Sequence, residues 1–322
     1  MSVTVPALTA FAVSVPSTWL AARLAYRVGL LDHPGPRKIH HRPVPLAGGI
    51  GVAAAITAGL LTAGAEPRLL AVTWALVCVG LVDDARGLRA RTRLGAQAVA
   101  TLPAVLVYTP SLGAPRPLEV VVGLLWTIGV ISAINCLDCS DGVAGSVTVA
   151  GALALGSLAG WSGPAGQTAA VLAAAAAAFL LFNAPPARCF LGEAGSTLLG
   201  FLLAILGLAV ARAEPPGGGL AAMFAAGAVL AVPVLDFLLV HLRRFRGGCR
   251  RLADLMASAA TDHLPHRLRR AGLNPGSAPR SAAARSQPPE RLRFLPAGRG
   301  CPAQRSASVS LAACLSAPSG RF

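Results

Sequence analysis

The chain is poor in charge and in aromatics, and among its 28 basic residues it has a single lysine, Lys38. Charged residues make up 13% of its 322 positions, about half the share usual in a soluble domain, and this excludes an ordinary water-soluble globule. Aromatics are 5%, and they do not interleave with the dispersed arginines. The +15 net charge is therefore not a nucleic-acid surface. Seven cysteines show no regular pairing, so no disulfide framework is expected. What the chain does have is apolar sequence: 54% hydrophobic residues and a mean hydropathy of +0.63.

Cutting at charged and Pro/Gly-rich breaks leaves apolar stretches near 5–26, 46–64, 69–82, 95–109, 118–134, 143–161, 166–182, 196–211 and 220–240. Most approach the roughly 20 residues that span a bilayer core. The expected fold is an all-α polytopic membrane bundle of about nine transmembrane helices, in which 69–82 spans only if its helix continues into its flanks. Arg23 and Arg27 follow the first apolar run instead of preceding it, which argues against a cleaved signal peptide.

The arginines set an orientation. If the first helix enters from outside, segments 27–45, 83–94, 135–142, 183–195 and 241–270 share one side and hold 17 of the 28 Lys+Arg. The opposite loops hold three, Arg68, Arg116 and Arg212. Positive residues collect in cytoplasmic loops, so the richer side is expected to be cytoplasmic, drawn also to anionic lipid head groups. Nine of the thirteen acids and all six histidines fall on that side or at helix ends facing it. Carboxylates at membrane helix ends are costly unless paired or functional, so chemistry is expected at this face.

Asp83 and Asp84, in GLVDDARGLRARTRLGAQ, repel one another, so one needs a cation or a raised pKa; a solvated helix end is the blander reading. In INCLDCSDGVAG, Asn135, Asp138 and Asp141 recur every three residues, a spacing that lines one helical face. Cys136 and Cys139 imitate a redox or zinc pair, but no second Cys or His pair follows nearby, so two buried thiols are expected. Asn183, a proline pair, Arg188 and the run Gly192-Glu193-Ala194-Gly195-Ser196 form a loop that opens a helix, whose N–H groups can face an anion or support a metal-bound phosphate. Asp236 lies in an apolar helix ahead of His263, His266 and Arg267, a group suited to a metal or to a phosphate clamp.

In this order the motifs resemble one family, the polyprenyl-phosphate N-acetylhexosamine-1-phosphate transferases, which include the enterobacterial-antigen and teichoic-acid initiating enzymes and the muramoyl-pentapeptide translocase. The resemblance runs from Asp32 to about Leu273. It rests on D-x-P-x-x-R-K-x-H with P-x-x-G-G at Asp32 to Gly49, the Asp83-Asp84 pair, and N-x-x-D-x-x-D-G at Asn135 to Gly142. N-x-P-P-A-R-x-F-x-G-(acid)-x-G-S at Asn183 to Ser196 and the late histidine cluster complete it.

The resemblance implies transfer of an N-acetylhexosamine 1-phosphate, with N-acetylglucosamine as the first choice, from a UDP-sugar to undecaprenyl phosphate. UMP is released and a cell-envelope glycan is begun at the cytoplasmic face of a bacterial plasma membrane. Mg²⁺ is implied, with Mn²⁺ as the alternative; membrane lipids surround the chain, nucleic acid is not a partner, and a homodimer is open to it. Asn135 and Glu193 match the metal positions, and Asp83, Asp84, Lys38 and His40 the catalytic ones. Asp138, Asp141, Asn183, Arg188, His263, His266 and Arg267 match substrate-binding positions. Lys38 offers a compact point charge that arginine does not reproduce.

Two departures stand out: Glu193 where the family has Asp, and Pro265 inside the histidine motif. They keep open an impaired or truncated member acting as a membrane scaffold, and the acids at helix ends keep open a transporter. Residues 1–274 are expected to form the membrane domain, and the Pro/Ser/Arg-rich 275–322 a disordered tail.

Overall fold

The computed structural model describes residues 2–34, 42–214, 218–249, 263–264 and 267–268. Lys38, His40 and His266, and the tail 275–322, lie outside the described residues. Ten helices follow in order: α1 (Thr4–Val28), α2 (Gly48–Thr62), α3 (Pro67–Arg86), α4 (Ala90–Tyr108), α5 (Arg116–Leu137), α6 (Val143–Ala159), α7 (Pro164–Asn183), α8 (Gly192–Ala213), α9 (Gly219–Val229) and α10 (Ala231–Arg246). Each expected apolar stretch is helical, and α3 does extend past both ends of 69–82 to reach 20 residues. Prolines stand in the first turn of α3, α5 and α7, where their missing N–H costs no helical bond.

The ninth stretch is not one helix. α9 and α10 meet at an angle of 82° around Leu230. Pro233 lacks an N–H, and its ring crowds the carbonyl four residues back, at Val229, so the helical ladder breaks there. A second departure from all-α is a short antiparallel ladder of β1 (Leu31–Asp32) and β2 (Val44–Pro45), with Leu31 opposite Pro45 and Asp32 opposite Val44.

Among the described residues four helices, α1, α5, α7 and α8, are long and apolar enough to cross a membrane, and the bent α9–α10 pair makes a fifth if it counts as one span. α2 and α6 are apolar but shorter, at 15 and 17 residues. The chain is a polytopic helical membrane protein. At its centre runs α8, buried nearly all round and packed against α2, α3, α4, α5, α6, α7 and α9. A helix apolar on every face suits enclosure by other helices or by lipid, and here other helices supply it. Its neighbours approach closely because small residues face it. A Cβ at Gly80 would overlap the backbone of Ala194, so α3 lies directly against the first turn of α8, one turn before Asp83 and Asp84.

Candidate active site

The helices alternate in direction, so the ends of α3, α5 and α7 and the starts of α4, α6 and α8 meet at one end of the bundle. Asp84 grips the start of α8. Its Oδ1 accepts the Glu193 N–H at 2.8 Å and its Oδ2 the Ala194 N–H at 3.2 Å. A carboxylate at a helix N-terminus satisfies donors that lack an intrahelical partner and meets the positive end of the dipole. Gly192 makes room for it: φ is +71°, and a Cβ would press on the Asp84 carboxylate.

Asp83 is engaged differently. It accepts the Leu88 N–H at 2.5 Å and pairs with Arg93 at 3.0 Å. Arg93 Nη1 also lies 3.0 Å from Glu193 Oε1, so one guanidinium bridges two carboxylates. Asn135, in the last turn of α5, donates to Glu193 Oε2 and, at 3.1 Å, to Ser196 Oγ. The first turn of α8 is thus held from α3, α4 and α5 at once.

Asn135, Asp138 and Asp141 do not share a helical face as their spacing predicts. α5 stops at Leu137, Asp138 is its last cap, and Gly142, at φ +74°, turns the chain into α6. The period of three therefore ends with the helix, and Asp138 and Asp141 lie in the turn between α5 and α6. Asp141 is turned onto the Ala187 N–H at 3.0 Å, while Asp138 stays half-buried beside Glu193, Asp84 and Asp141. Burial holds the Asp138 carboxyl well above the usual carboxylate range, and these three neighbouring acids push it the same way.

Asn183 is a clamp between loops. Its Oδ1 accepts the Gly142 N–H at 2.9 Å and its Nδ2 donates to the Cys189 carbonyl at 3.0 Å. Arg188 is exposed beside it, and Arg267 is exposed as well. His263 is buried against Asp236. The expected pair of buried thiols is half right: Cys136 is buried, Cys139 only partly, and neither is in a disulfide. Cys249, by contrast, is disulfide-bonded, which its spacing does not announce.

The flanks of the Lys38–His40 segment are tied to the same end. Phe190 N–H donates to the Pro45 carbonyl, Gly48 N–H to that of Phe190 and Gly49 N–H to that of Leu191, each at 2.9 Å. Arg93 and Asn135 line a cleft that also includes Gln97, Ser132 and His241 of α10.

Among the described residues no three His, Cys, Asp or Glu side chains form a closed cation cage. The donor chemistry nonetheless suits Mg²⁺, which takes one or two carboxylates, keeps waters and draws its remaining oxygens from bound phosphates. Asp84, Asp138 and Glu193 lie close together, and Arg93 is bonded to Glu193 and to Asp83.

Residues 67–211 match the family described as Glycosyl transferase family 4. A protein of Streptomyces coelicolor named as a glycosyltransferase is 36% identical, over 84% of this chain and 64% of its own length. The decaprenyl-phosphate N-acetylglucosaminephosphotransferase of Mycolicibacterium smegmatis is 31% identical, over 82% of this chain and 75% of its own. The undecaprenyl-phosphate alpha-N-acetylglucosaminyl 1-phosphate transferase of Yersinia pestis is 30% identical, over 82% and 76%.

The chain belongs to glycosyl transferase family 4. Within that family it stands with the N-acetylglucosamine-type phosphotransferases, and it is an enzyme of the glycosyl-1-phosphate transferase type. The matched span covers Asp83, Asp84, Arg93, Asn135, Asp138, Asp141, Asn183, Arg188 and Glu193, all of which the fold brings to one end. Sequence reading missed Arg93, counting it among the basic flanks. A signal was there: Arg93 and Gln97 are four apart on α4, and Gln97 reaches Thr197 of α8 at 3.1 Å, so that face turns inward.

Proposed function

We propose that this family 4 enzyme transfers N-acetylglucosamine 1-phosphate from UDP-N-acetylglucosamine to a polyprenyl phosphate, undecaprenyl phosphate as first choice, and releases UMP. The reaction takes place at the cytoplasmic face of a bacterial plasma membrane, depends on Mg²⁺ and opens a cell-envelope glycan. Nine spans carry the fold, α9 and α10 together making the last. The observation that carries this reading is Glu193, whose backbone is held by Asp84 and whose carboxylate is held by Arg93 and Asn135.

Phosphoryl transfer asks the protein for positioning and charge neutralisation. An oxygen of the lipid phosphate attacks the sugar-bearing phosphorus, a new P–O bond forms, and the bond to the UMP oxygen breaks. Glu193 and Asn135 would hold the metal, which would supply charge neutralisation for the diphosphate oxygens. Asp84 fixes the backbone that carries Glu193, and Asp83, steadied by Arg93, faces the incoming phosphate. Lys38 and His40 supply cationic contacts from a segment whose flanks are tied beside Phe190 and Leu191. Asp138 and Asp141 serve the nucleotide. Asn183 and Arg188 shape the adjoining loop, and His263, His266 and Arg267 close the site from the C-terminal side.

The scaffold reading leans on Glu193 in place of Asp. Here the longer side chain reaches both Arg93 and Asn135, so its extra methylene is accommodated. The test is transfer of label from UDP-N-acetyl[¹⁴C]glucosamine to undecaprenyl phosphate in vesicles, with and without Mg²⁺. Mg²⁺-dependent labelled lipid is expected, and no labelled lipid together with UDP-sugar uptake into the vesicles contradicts the reading in favour of transport.

A further inference from the structure

Asp236 lies on α10, is 6% exposed and has no part in the chemistry above. Both of its oxygens serve one short turn near the C-terminal end of the described chain. Oδ2 is 2.9 Å from His263 Nδ1, and Oδ1 accepts the Leu264 N–H at 2.8 Å. The His263 carbonyl in turn accepts the Arg267 N–H at 3.1 Å, so the carboxylate closes the first free donor of a helical turn. His263 is fully buried.

Its other ring nitrogen, Nε2, is buried too and meets no hydrogen-bond partner among the described residues. A buried polar atom left unmet costs free energy, which a group arriving at Nε2 recovers. α10 packs against α5, whose last turn carries Asn135, and its His241 lines the cleft shared by Arg93 and Asn135. The Asp236–His263 pair is therefore carried, through Asp236, on the helix that lines the Arg93–Asn135 cleft.

We propose that Asp236 is a positioning residue, which fixes the Nδ1–H form of His263 and the start of its turn so that Nε2 is presented to a substrate oxygen. A carboxylate orienting an imidazole through Nδ1–H leaves Nε2 as the working nitrogen. The inference rests on the transferase reading above.

Asp236→Asn tests it, because the amide keeps the shape but has one acceptor oxygen for two donors, Leu264 N–H and His263 Nδ1–H. In the purified full chain, kcat is expected to fall about thirtyfold or more while KM for UDP-N-acetylglucosamine moves less than about threefold and the melting temperature stays near that of the parent. The double variant with His263→Ala is expected to be no slower than His263→Ala alone, as for residues acting as a unit. Asp236→Glu is expected to recover part of kcat. A kcat for Asp236→Asn within about threefold of the parent, or additive losses in the double variant, overturns the inference.

If the parent transfers no sugar phosphate, the transferase reading fails separately, and ring ¹⁵N shifts with amide exchange decide this one. In Asp236→Asn either the His263 ring reports the other tautomer or Leu264 loses exchange protection. Neither change occurring overturns the inference.

Discussion

The two ends of the bundle handle buried carboxylates in opposite ways. At the end opposite the candidate site, Glu119 in the first turn of α5 is 3% exposed and is met by the Leu112 N–H at 2.6 Å, the Ala114 N–H at 3.4 Å, Ser111 Oγ at 3.4 Å and Arg116 at 3.3 Å. All four partners lie within eight residues of it, and Arg116 also caps the carbonyls of Leu106 and Thr109. That cluster closes on itself and finishes a loop.

At the other end, Glu193 takes its partners from Asp84, Arg93 and Asn135, which lie 109, 100 and 58 residues away. Three helices converge to place one acid, and further acids remain beside it. A fold that only had to seal a helix end would use the local solution. Long-range convergence on one acid marks a place where the exact position of that acid matters.

The contrast can be broken or sharpened by substitution. The largest effect is expected from Asn135→Ala, which removes a partner of Glu193 and a proposed metal contact; transfer should drop about a hundredfold or more, a scale typical of losing one electrostatic contact to the transition state. A rise in activity at high Mg²⁺ would place the residue on the metal, and a loss independent of Mg²⁺ would place it on the diphosphate.

Asp84→Asn comes next. The amide has one oxygen for the two N–H groups of Glu193 and Ala194, and losing a charge-assisted hydrogen bond costs about 1.5–3 kcal/mol, roughly tenfold to a hundredfold in rate if the loss falls on the transition state. Turnover per folded molecule is the quantity to measure. Unchanged turnover with lower membrane expression would make Asp84 a helix cap and no more.

A smaller effect is expected from Lys38→Arg, where charge and topology signal are kept and only the shape of the cation changes, and a loss of about threefold to tenfold is anticipated. Silence in that variant would reduce Lys38 to a membrane anchor.

The sequence carried most of this organisation. Apolar runs located α1 to α8 one by one, since burial in lipid or in the bundle demands continuous apolar stretches, and the extension of α3 followed from the length needed to span. The bend at Leu230 was hidden because α9 and α10 read as one hydropathic run, although Pro233 marked it. The period of three across Asn135, Asp138 and Asp141 misled because α5 stops at Leu137, so only Asn135 lies on the helix and the two aspartates fall in the turn that leads to α6. Motifs named the acids, but they could not show that Asp84 holds backbone while Asp83 holds Arg93, nor that Asn183 spends both ends of its amide on loops. Those roles depend on contacts between residues far apart in the chain, which no local pattern records. Arg93 was lost for the same reason: a basic flank and a bridging arginine look alike until α4 is laid against α8.

The most direct measurement compares Glu193→Gln with Glu119→Gln in one assay, Mg²⁺-dependent formation of labelled polyprenyl lipid per folded molecule, with melting temperatures read alongside. Glu193→Gln is expected to lose activity by about a hundredfold or more while remaining folded. Glu119→Gln is expected to melt earlier and to transfer at the parental rate. Activity in Glu193→Gln within about tenfold of the parent, a difference of roughly 1.4 kcal/mol, would contradict the account and move the chemistry away from the start of α8.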